Sequence, residues 1–377
     1  MRLLLLGDLH IGSIRDTDYV YRIIIGIIDR ELVFNHCDMV VSLGDYFHRL
    51  FRVNEEYVLL AINVMSYLVR ICRKTKTKIR LIYGTESHEM NQYRLFNYHL
   101  SSESLDMKII TTVTEESVCG NSILYLPEEY MGDKSKHYSD TLYSGKAYDY
   151  ILGHGIISEG MPMVRYDDNQ RSGEKKVPHF RAGELQEASK LTVFGHYHVL
   201  TRMKSVYYLG SLFRDSFGEE DPKGYGIAEN HRFTFVENTE AYLYRSYRYN
   251  DSSPLYGNSD LLVGELDRIK KDNVDIFDGT RPGKIRLIFD LPSTVEVGFR
   301  EKLQSLLSSE KQITTLITET KIDQSELLSS VEAEYDFILD KNLNVTDKIY
   351  RYISKKYPDT ELTYDELIEF IGSDLKL

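Results

Sequence analysis

The chain has 377 residues, enough for two or three domains, and its 42% hydrophobic and 28% charged content excludes a disordered chain, a collagen and a disulfide miniprotein. Acidic residues outnumber basic ones by 58 to 46, and a net charge of −12 excludes a basic footprint spread over the whole protein, so any polyanion must be met locally or through bound cations. Cys37, Cys72 and Cys119 are odd in number, widely spaced and form no C-x-x-C pair, which reads as a reducing compartment without a zinc–thiolate site.

The N-terminal apolar run, Leu3 to Leu6, is too short for a signal segment and runs into Gly7 and Asp8. The most apolar helical stretch, Ile23 to Ile28, is flanked by Arg22 and Asp29 and is too short to span a bilayer, so a cytoplasmic protein with no membrane association is expected. Leu3–Leu6 reads as a buried strand, 16–34 as a helix, Met39–Leu43 as a strand and Glu55–Arg73 as a helix with Val58, Leu59, Ile62, Met65 and Val69 on one side. Ile79–Tyr83, Tyr150–Leu152 and Leu191–Phe194 read as further strands. Strands alternating with helices predict an α/β core. Residues 158–190 are polar and read as a long loop with short helices, and 250–258 as a domain boundary. Beyond it, strand 284–289, helix 297–307 and strand 313–317 predict a small α/β unit, followed by a helical segment from about 325 to the end.

The chemistry lies at the end of each strand. The first runs into Gly7-Asp8-Leu9-His10, the second into Gly44-Asp45-Tyr46-Phe47-His48, and the third into Gly84-Thr85-Glu86-Ser87-His88-Glu89. The fourth runs into Gly153-His154 and the fifth into Gly195-His196-Tyr197-His198. In α/β sheets ligands bind beyond the carboxyl ends of strands. Five junctions therefore deliver Asp and His to one sheet edge, each behind a glycine that lets the backbone turn and approach closely. Asp and His without Cys favour divalent manganese, iron or zinc. Asp8 and His10, and likewise His196 and His198, are two residues apart and share one side of an extended segment. Asp45 stands alone and is the candidate bridge in a two-metal site suited to in-line displacement at phosphorus.

This series resembles the calcineurin-like metallophosphoesterases. Gly44-Asp45-Tyr46-Phe47-His48, Tyr208-Leu209-Gly210-Ser211, Ser216-Phe217-Gly218-Glu219-Glu220 and Lys223-Gly224-Tyr225 narrow the likeness to the SbcD and meiotic-recombination-eleven double-strand-break repair nucleases, phage recombination endonuclease small subunits among them. The specific motifs cover residues 8 to 226; beyond them the likeness is of architecture. The resemblance implies an α/β fold, a metallophosphoesterase-type β-sandwich flanked by helices, then a small α/β cap and a C-terminal helical tail. The expected divisions are a nuclease domain at 1–240, a linker at 241–282, a DNA-capping domain at 283–322 and an ATPase-binding tail at 325–377. By resemblance Asp8, His10 and His198 hold one metal, His154 and His196 the other, and Asp45 bridges them. His88 is the catalytic histidine and His48 seats the scissile phosphate. The family usually reads Gly-Asn-His-Asp at the third junction, with the Asn as a ligand of the second metal; here Ser87 is its positional heir, with Glu86 as the alternative.

The implied cofactors are two divalent cations, manganese by resemblance. The implied activities are exonuclease and single-strand endonuclease cleavage of DNA, in a homodimer that partners an SMC-like coiled-coil ATPase subunit in DNA repair and recombination. The alternatives are a phosphatase or phosphodiesterase of other substrates, and a scaffold subunit with an impaired second metal site. The alternation of Tyr242, Tyr244, Tyr247 and Tyr249 with Arg245 and Arg248 suits nucleic acid or a half-exposed strand. In the tail, Leu327, Leu328, Val331, Tyr335 and Ile338 form one apolar stripe, and Ile349, Tyr352, Ile353 and Tyr357 a second, stopped by Pro358. Thr363 with Glu366 three residues on predicts a capping box, with Leu362 and Leu367 as its hydrophobic staple.

Overall fold

The computed structural model describes residues 1–100, 105–159, 177–250, 261–291, 297–308, 310–319, 345–356 and 363–367, with residues 253 and 343 between them. The chain divides into two compact units, the first made of 1–247, 264–287 and 307–314, the second of 248–263, 288–306 and 315–377.

The first unit is built on two six-stranded mixed sheets. One contains β1 (Arg2–Leu6), β2 (Met39–Ser42), β3 (Lys78–Ile82), β4 (Met107–Ile110), β13 (Gly224–Glu229) and β14 (Arg232–Glu237) in the order β14-β13-β1-β2-β3-β4. The other contains β5 (Thr114–Val118), β6 (Asn121–Leu126), β7 (Tyr148–His154), β10 (Ser189–Gly195), β11 (Thr201–Met203) and β12 (Val206–Tyr208) in the order β11-β12-β10-β7-β6-β5. A two-stranded piece pairs β8 (Ile156–Ile157) with β9 (His179–Phe180). β1 to β4 run parallel, as do β6, β7, β10 and β12, while β5, β11, β13 and β14 pair antiparallel at the margins.

The period of two along each central strand builds the layers. Leu4, Leu6, Val40, Ile79 and Leu81 join one core with the buried faces of α1 (Thr17–Ile28) and α2 (Glu56–Thr75), among them Ile24, Ile28, Met65 and Leu68. Their neighbours Leu3, Leu5, Met39, Val41 and Ile82 face the other way and pack with Ile123, Tyr125, Tyr150, Leu152, Leu191 and Val193 of the second sheet. Leu124, Leu126, Ile151 and Phe194 turn outward onto Leu185 of the helix Ala182–Ala188. The central strands are covered on both faces, which is why they are mostly apolar rather than alternating, with Arg80 and Thr192 as buried exceptions. The α/β reading, two sheets flanked by helices, holds.

β15 (Leu243–Tyr249), β16 (Gly283–Leu291) and β17 (Ile313–Glu319) form a third sheet in the order β15-β16-β17. The stretch 241–282, expected as a linker, contains β15 and the helices Leu262–Asp272 and Val274–Phe277. β15 is a half-exposed strand, in which Arg245 donates to Asn273 Oδ1 at 2.6 Å and pairs with Asp275 at 3.4 Å. The tail stripe from Leu327 to Ile338 lies outside the described residues. Val345–Lys356 is a helix carrying Ile349, Tyr352 and Ile353. The Thr363 capping box forms, the backbone N–H and hydroxyl of Thr363 each donating to Glu366 Oε2 at 2.8 Å. Tyr364 bonds Asp347, and its ring meets that of Tyr350 at 5.2 Å, so the short turn packs on the helix before it. Among the described residues no helix is long and apolar enough to cross a membrane.

Candidate metal centre

Parallel β1, β2 and β3 of one sheet and β6, β7 and β10 of the other end at the same edge of the sandwich, and their carboxyl-terminal junctions supply Asp8, His10, Asp45, Glu128, His154, His196 and His198. The first two junctions are held in register beyond their strands. His10 N–H donates to Asp45 O at 3.0 Å, Ile11 N–H to Tyr46 O at 2.9 Å and His48 N–H to Ile11 O at 3.0 Å, a short parallel bridge from Ile11 to Phe47. Glu89, fully buried, ties the second junction to the third: its carboxylate accepts from Tyr46 N–H and Gly84 N–H, each at 2.7 Å. Asp8, His10, Asp45 and His196 all have positive φ, 41°, 41°, 48° and 92°, a conformation that non-glycine residues adopt at a cost and that clusters at functional sites. Two glycines make the crowding possible. A Cβ on Gly44 would lie 2.3 Å from His154 Nδ1, and one on Gly84 2.3 Å from Asp45 N.

The donor atoms converge. His10 Nε2 and His198 Nε2 are 2.9 Å apart and form a group with Asp8. His196 Nδ1 lies 3.3 Å from His154 Nε2 and 3.4 Å from Glu128 Oε2, a second group. Asp45 Oδ2 stands between them, 3.8 Å from His10 Nε2 and 3.5 Å from His154 Nε2. Within each group the ligand atoms are within 4.8 Å of one another. Two facing imidazole nitrogens can share at most one proton, and His10 Nδ1 is buried without a hydrogen-bond partner, so this donor set fits cations better than it fits itself. Imidazole and carboxylate without thiolate suit divalent first-row metals.

The surroundings orient the set. His154 Nδ1 lies 2.7 Å from Leu43 O, which aims Nε2 into the site. Asp8 accepts from His196 N–H at 2.9 Å, and Asp45 Oδ1 from Thr85 N–H at 2.7 Å. Lys223, fully buried, donates to His198 O at 3.0 Å and pairs with Glu219 at 2.7 Å, which gives the Lys223-Gly224-Tyr225 motif a holding role behind the last ligand. Electrostatics pull the groups apart. Burial raises Asp8 to about 6, against the opposing pull of His154 and His198. Burial also acts to raise Asp45, but His154 and His10 outweigh it and hold Asp45 well below the usual carboxylate range. Burial alone would lower His154; the Asp45 carboxylate reverses this and raises it to about 10. Burial and the neighbouring His154 lower His196 to about 3.

Of the expected residues, Asp8, His10, Asp45, His154, His196 and His198 come together, with His48 and His88 beside them. The His88 ring centroid lies 5.0 Å from that of His10, and His48 lies 5.6 Å from His10 and 6.2 Å from His88. Both have a buried Nδ1 without a partner. Ser87 is not part of the centre. It is exposed in the short helix α3 (Glu86–Glu89). Thr85, which caps that helix in an extended conformation, occupies the place instead, its hydroxyl 3.3 Å from Asp45 Oδ2 and 3.4 Å from His154 Nε2. Glu128, just past β6, is a member of the centre that the strand–glycine pattern misses. Its junction reads Leu126-Pro127-Glu128, without glycine or histidine. The available signal is an acidic residue directly after an apolar strand.

No family model matches the chain, and no curated protein does. Fifty-eight chains of solved structures match. One of them aligns over 63% of this chain and 98% of its own length at 10% identity and a TM-score of 0.38, a likeness too slight to carry an argument. What the residues establish by themselves is a buried cluster of His, Asp and Glu able to hold metal ions.

Proposed function

We propose that this chain is a two-metal phosphodiesterase that hydrolyses DNA, with manganese as the cation and with exonuclease and single-strand endonuclease activities. The observation that carries the proposal is the pair of donor groups on either side of Asp45, His10 with His198 on one side and His154 with His196 on the other. Two ions held there would supply Lewis acidity toward a phosphate and an activated water near neutral pH.

The protein's own part is to hold and to protonate. Asp8, His10 and His198 hold the first ion, His154 and His196 the second, and Asp45 both. His88 acts on the phosphate and delivers a proton to the leaving oxygen; its unengaged Nδ1 and its place against the His10 ring support this role. His48 seats the phosphate beside it. The partners proposed are DNA, a second copy of the chain, and an SMC-like coiled-coil ATPase gripped by the C-terminal helices, of which Val345–Lys356 presents partly exposed Ile349 and Tyr352. With a net charge of −12, affinity for DNA depends on the ions and the partner.

The deciding experiment is cleavage of linear and hairpin DNA with and without manganese, alongside hydrolysis of a simple aryl phosphate monoester. Manganese-dependent DNA cleavage is expected. Monoester hydrolysis with intact DNA would assign the centre to a phosphatase instead.

A further inference from the structure

Glu128 has the position of a ligand and the sequence context of none. Its side chain is 2% exposed, and among the described residues no lysine or arginine pairs with it; the basic groups in reach are His154 Nε2 at 3.8 Å and His196 Nδ1 at 3.4 Å. The same carboxylate oxygen, Oε2, makes both approaches and also lies 3.3 Å from the Thr85 hydroxyl. Atoms bound to one ion at about 2.1 Å stand about 3 to 3.5 Å from one another, close to the spacings found here. A buried carboxylate is costly unless it is paired or coordinates a metal.

The Thr85 hydroxyl cannot take the same part equally well. It lies 3.3 Å from both Asp45 and Glu128, its single proton can serve only one of them at a time, and its neutral oxygen is a weaker ligand for a divalent cation than the Glu128 carboxylate. On the reading of the centre as a two-ion site, we propose that Glu128 is a direct ligand of the second ion, completing a set with Asp45, His154 and His196. The consequence is electrostatic. Three carboxylates, Asp8, Asp45 and Glu128, then face two divalent cations. The second position becomes a mixed set of two imidazoles and two carboxylates, suited to a divalent first-row metal, with the added carboxylate moving it toward manganese relative to an imidazole-dominated set.

The test reads metal rather than activity. Full-length wild-type protein and the Glu128→Ala and Glu128→Gln variants are titrated with manganese, and bound metal and the electron paramagnetic resonance spectrum are followed. Wild type is expected to bind two ions with the spectrum of an exchange-coupled pair. Glu128→Ala is expected to bind one uncoupled ion, its remaining site showing that the fold is intact. Glu128→Gln, which keeps the shape and loses the charge, should weaken the second ion by at least about 10-fold, the lower end of what a metal-site partner is worth. A coupled pair that persists in Glu128→Ala overturns the assignment of Glu128 alone. A wild type that binds a single ion overturns the two-ion reading beneath it. Should Glu128→Ala bind nothing, the glutamine variant decides: weaker second binding supports the ligand and unchanged binding rejects it.

Discussion

Two of the places where the first unit buries charge are built on opposite principles. At the Lys78–Ile82 strand, Arg80 is fully buried and grips Glu116 with two bonds, Nε to Oε2 at 2.8 Å and Nη2 to Oε1 at 2.7 Å. Its third nitrogen donates to the carbonyls of Ile79 and Asp106, and Glu116 also accepts from Lys108 at 2.6 Å and Tyr125 at 3.0 Å. Donors meet acceptors throughout. At the carboxyl edge of the strands, ligand-type atoms crowd together instead: nitrogen faces nitrogen at His10 and His198, and carboxylates and imidazoles gather around Asp45. A buried cluster that closes on itself belongs to the fold, whereas one whose acceptors point at a common centre is arranged for a cation.

The sharpest way to break that contrast is Asp45→Ala. It removes the oxygen between the two groups, and manganese-dependent DNA cleavage should fall to background; cleavage at the wild-type rate would mean the convergence is not a two-ion site. Next is His88→Ala, which should keep both ions and lose about 10²–10⁴-fold in turnover, the usual worth of a proton donor. Loss of metal in this variant, read by anomalous scattering, would move His88 from proton donor to ligand. Arg80→Ala tests the other side of the comparison. It leaves the partly buried Glu116 with Lys108 and Tyr125 as its remaining partners and should cost at most about 3 kcal/mol in urea unfolding, the low end for a broken buried pair, with metal binding unchanged.

The smallest effect expected is in pH dependence. Burial would raise Glu116, but Arg80 and Lys108 outweigh it and hold it at about 2, down from 4.5. A carboxyl lowered on folding adds stability that is fully present above its unfolded value and is lost as pH falls through the folded one. Unfolding free energy of the wild type should therefore drop between about pH 4.5 and 2 more steeply than that of Glu116→Gln. Parallel profiles would show that the Arg80 pair carries no such linkage.

Much of this was legible in the residues because a doubly covered strand has few ways to look. Leu3–Leu6 and Met39–Val41 are continuous apolar runs, Ile79–Ile82 is broken only by Arg80, and the glycine with polar residues after each marks the sheet edge. The alternation that sends Leu3 and Leu5 one way and Leu4 and Leu6 the other cannot be seen in a run with no polar members; the pairing of the sheets decides it. β5 and β6 escaped reading because Glu115 and Glu116 interrupt the one and the other has no glycine after it. Ser87 was expected in the centre because it precedes His88 directly. The helix that starts at Glu86 turns it to solvent, and the inward position falls to the residue before the helix, Thr85. Glu128 was missed because a lone Pro-Glu after a strand is a common surface sequence; its burial depends on Tyr83, whose carbonyl accepts from Glu128 N–H at 3.1 Å across the sandwich.

The pairing of His10 with His198 has a further consequence. The two are 188 residues apart in the chain, in the junctions that follow strands of different sheets. An ion bound to both acts as a cross-link, and the entropy removed from the unfolded chain by such a clip grows with the logarithm of the loop it closes. Such an ion restrains the chain from its first strand to its tenth, so a chelator would loosen the whole sandwich and not the site alone.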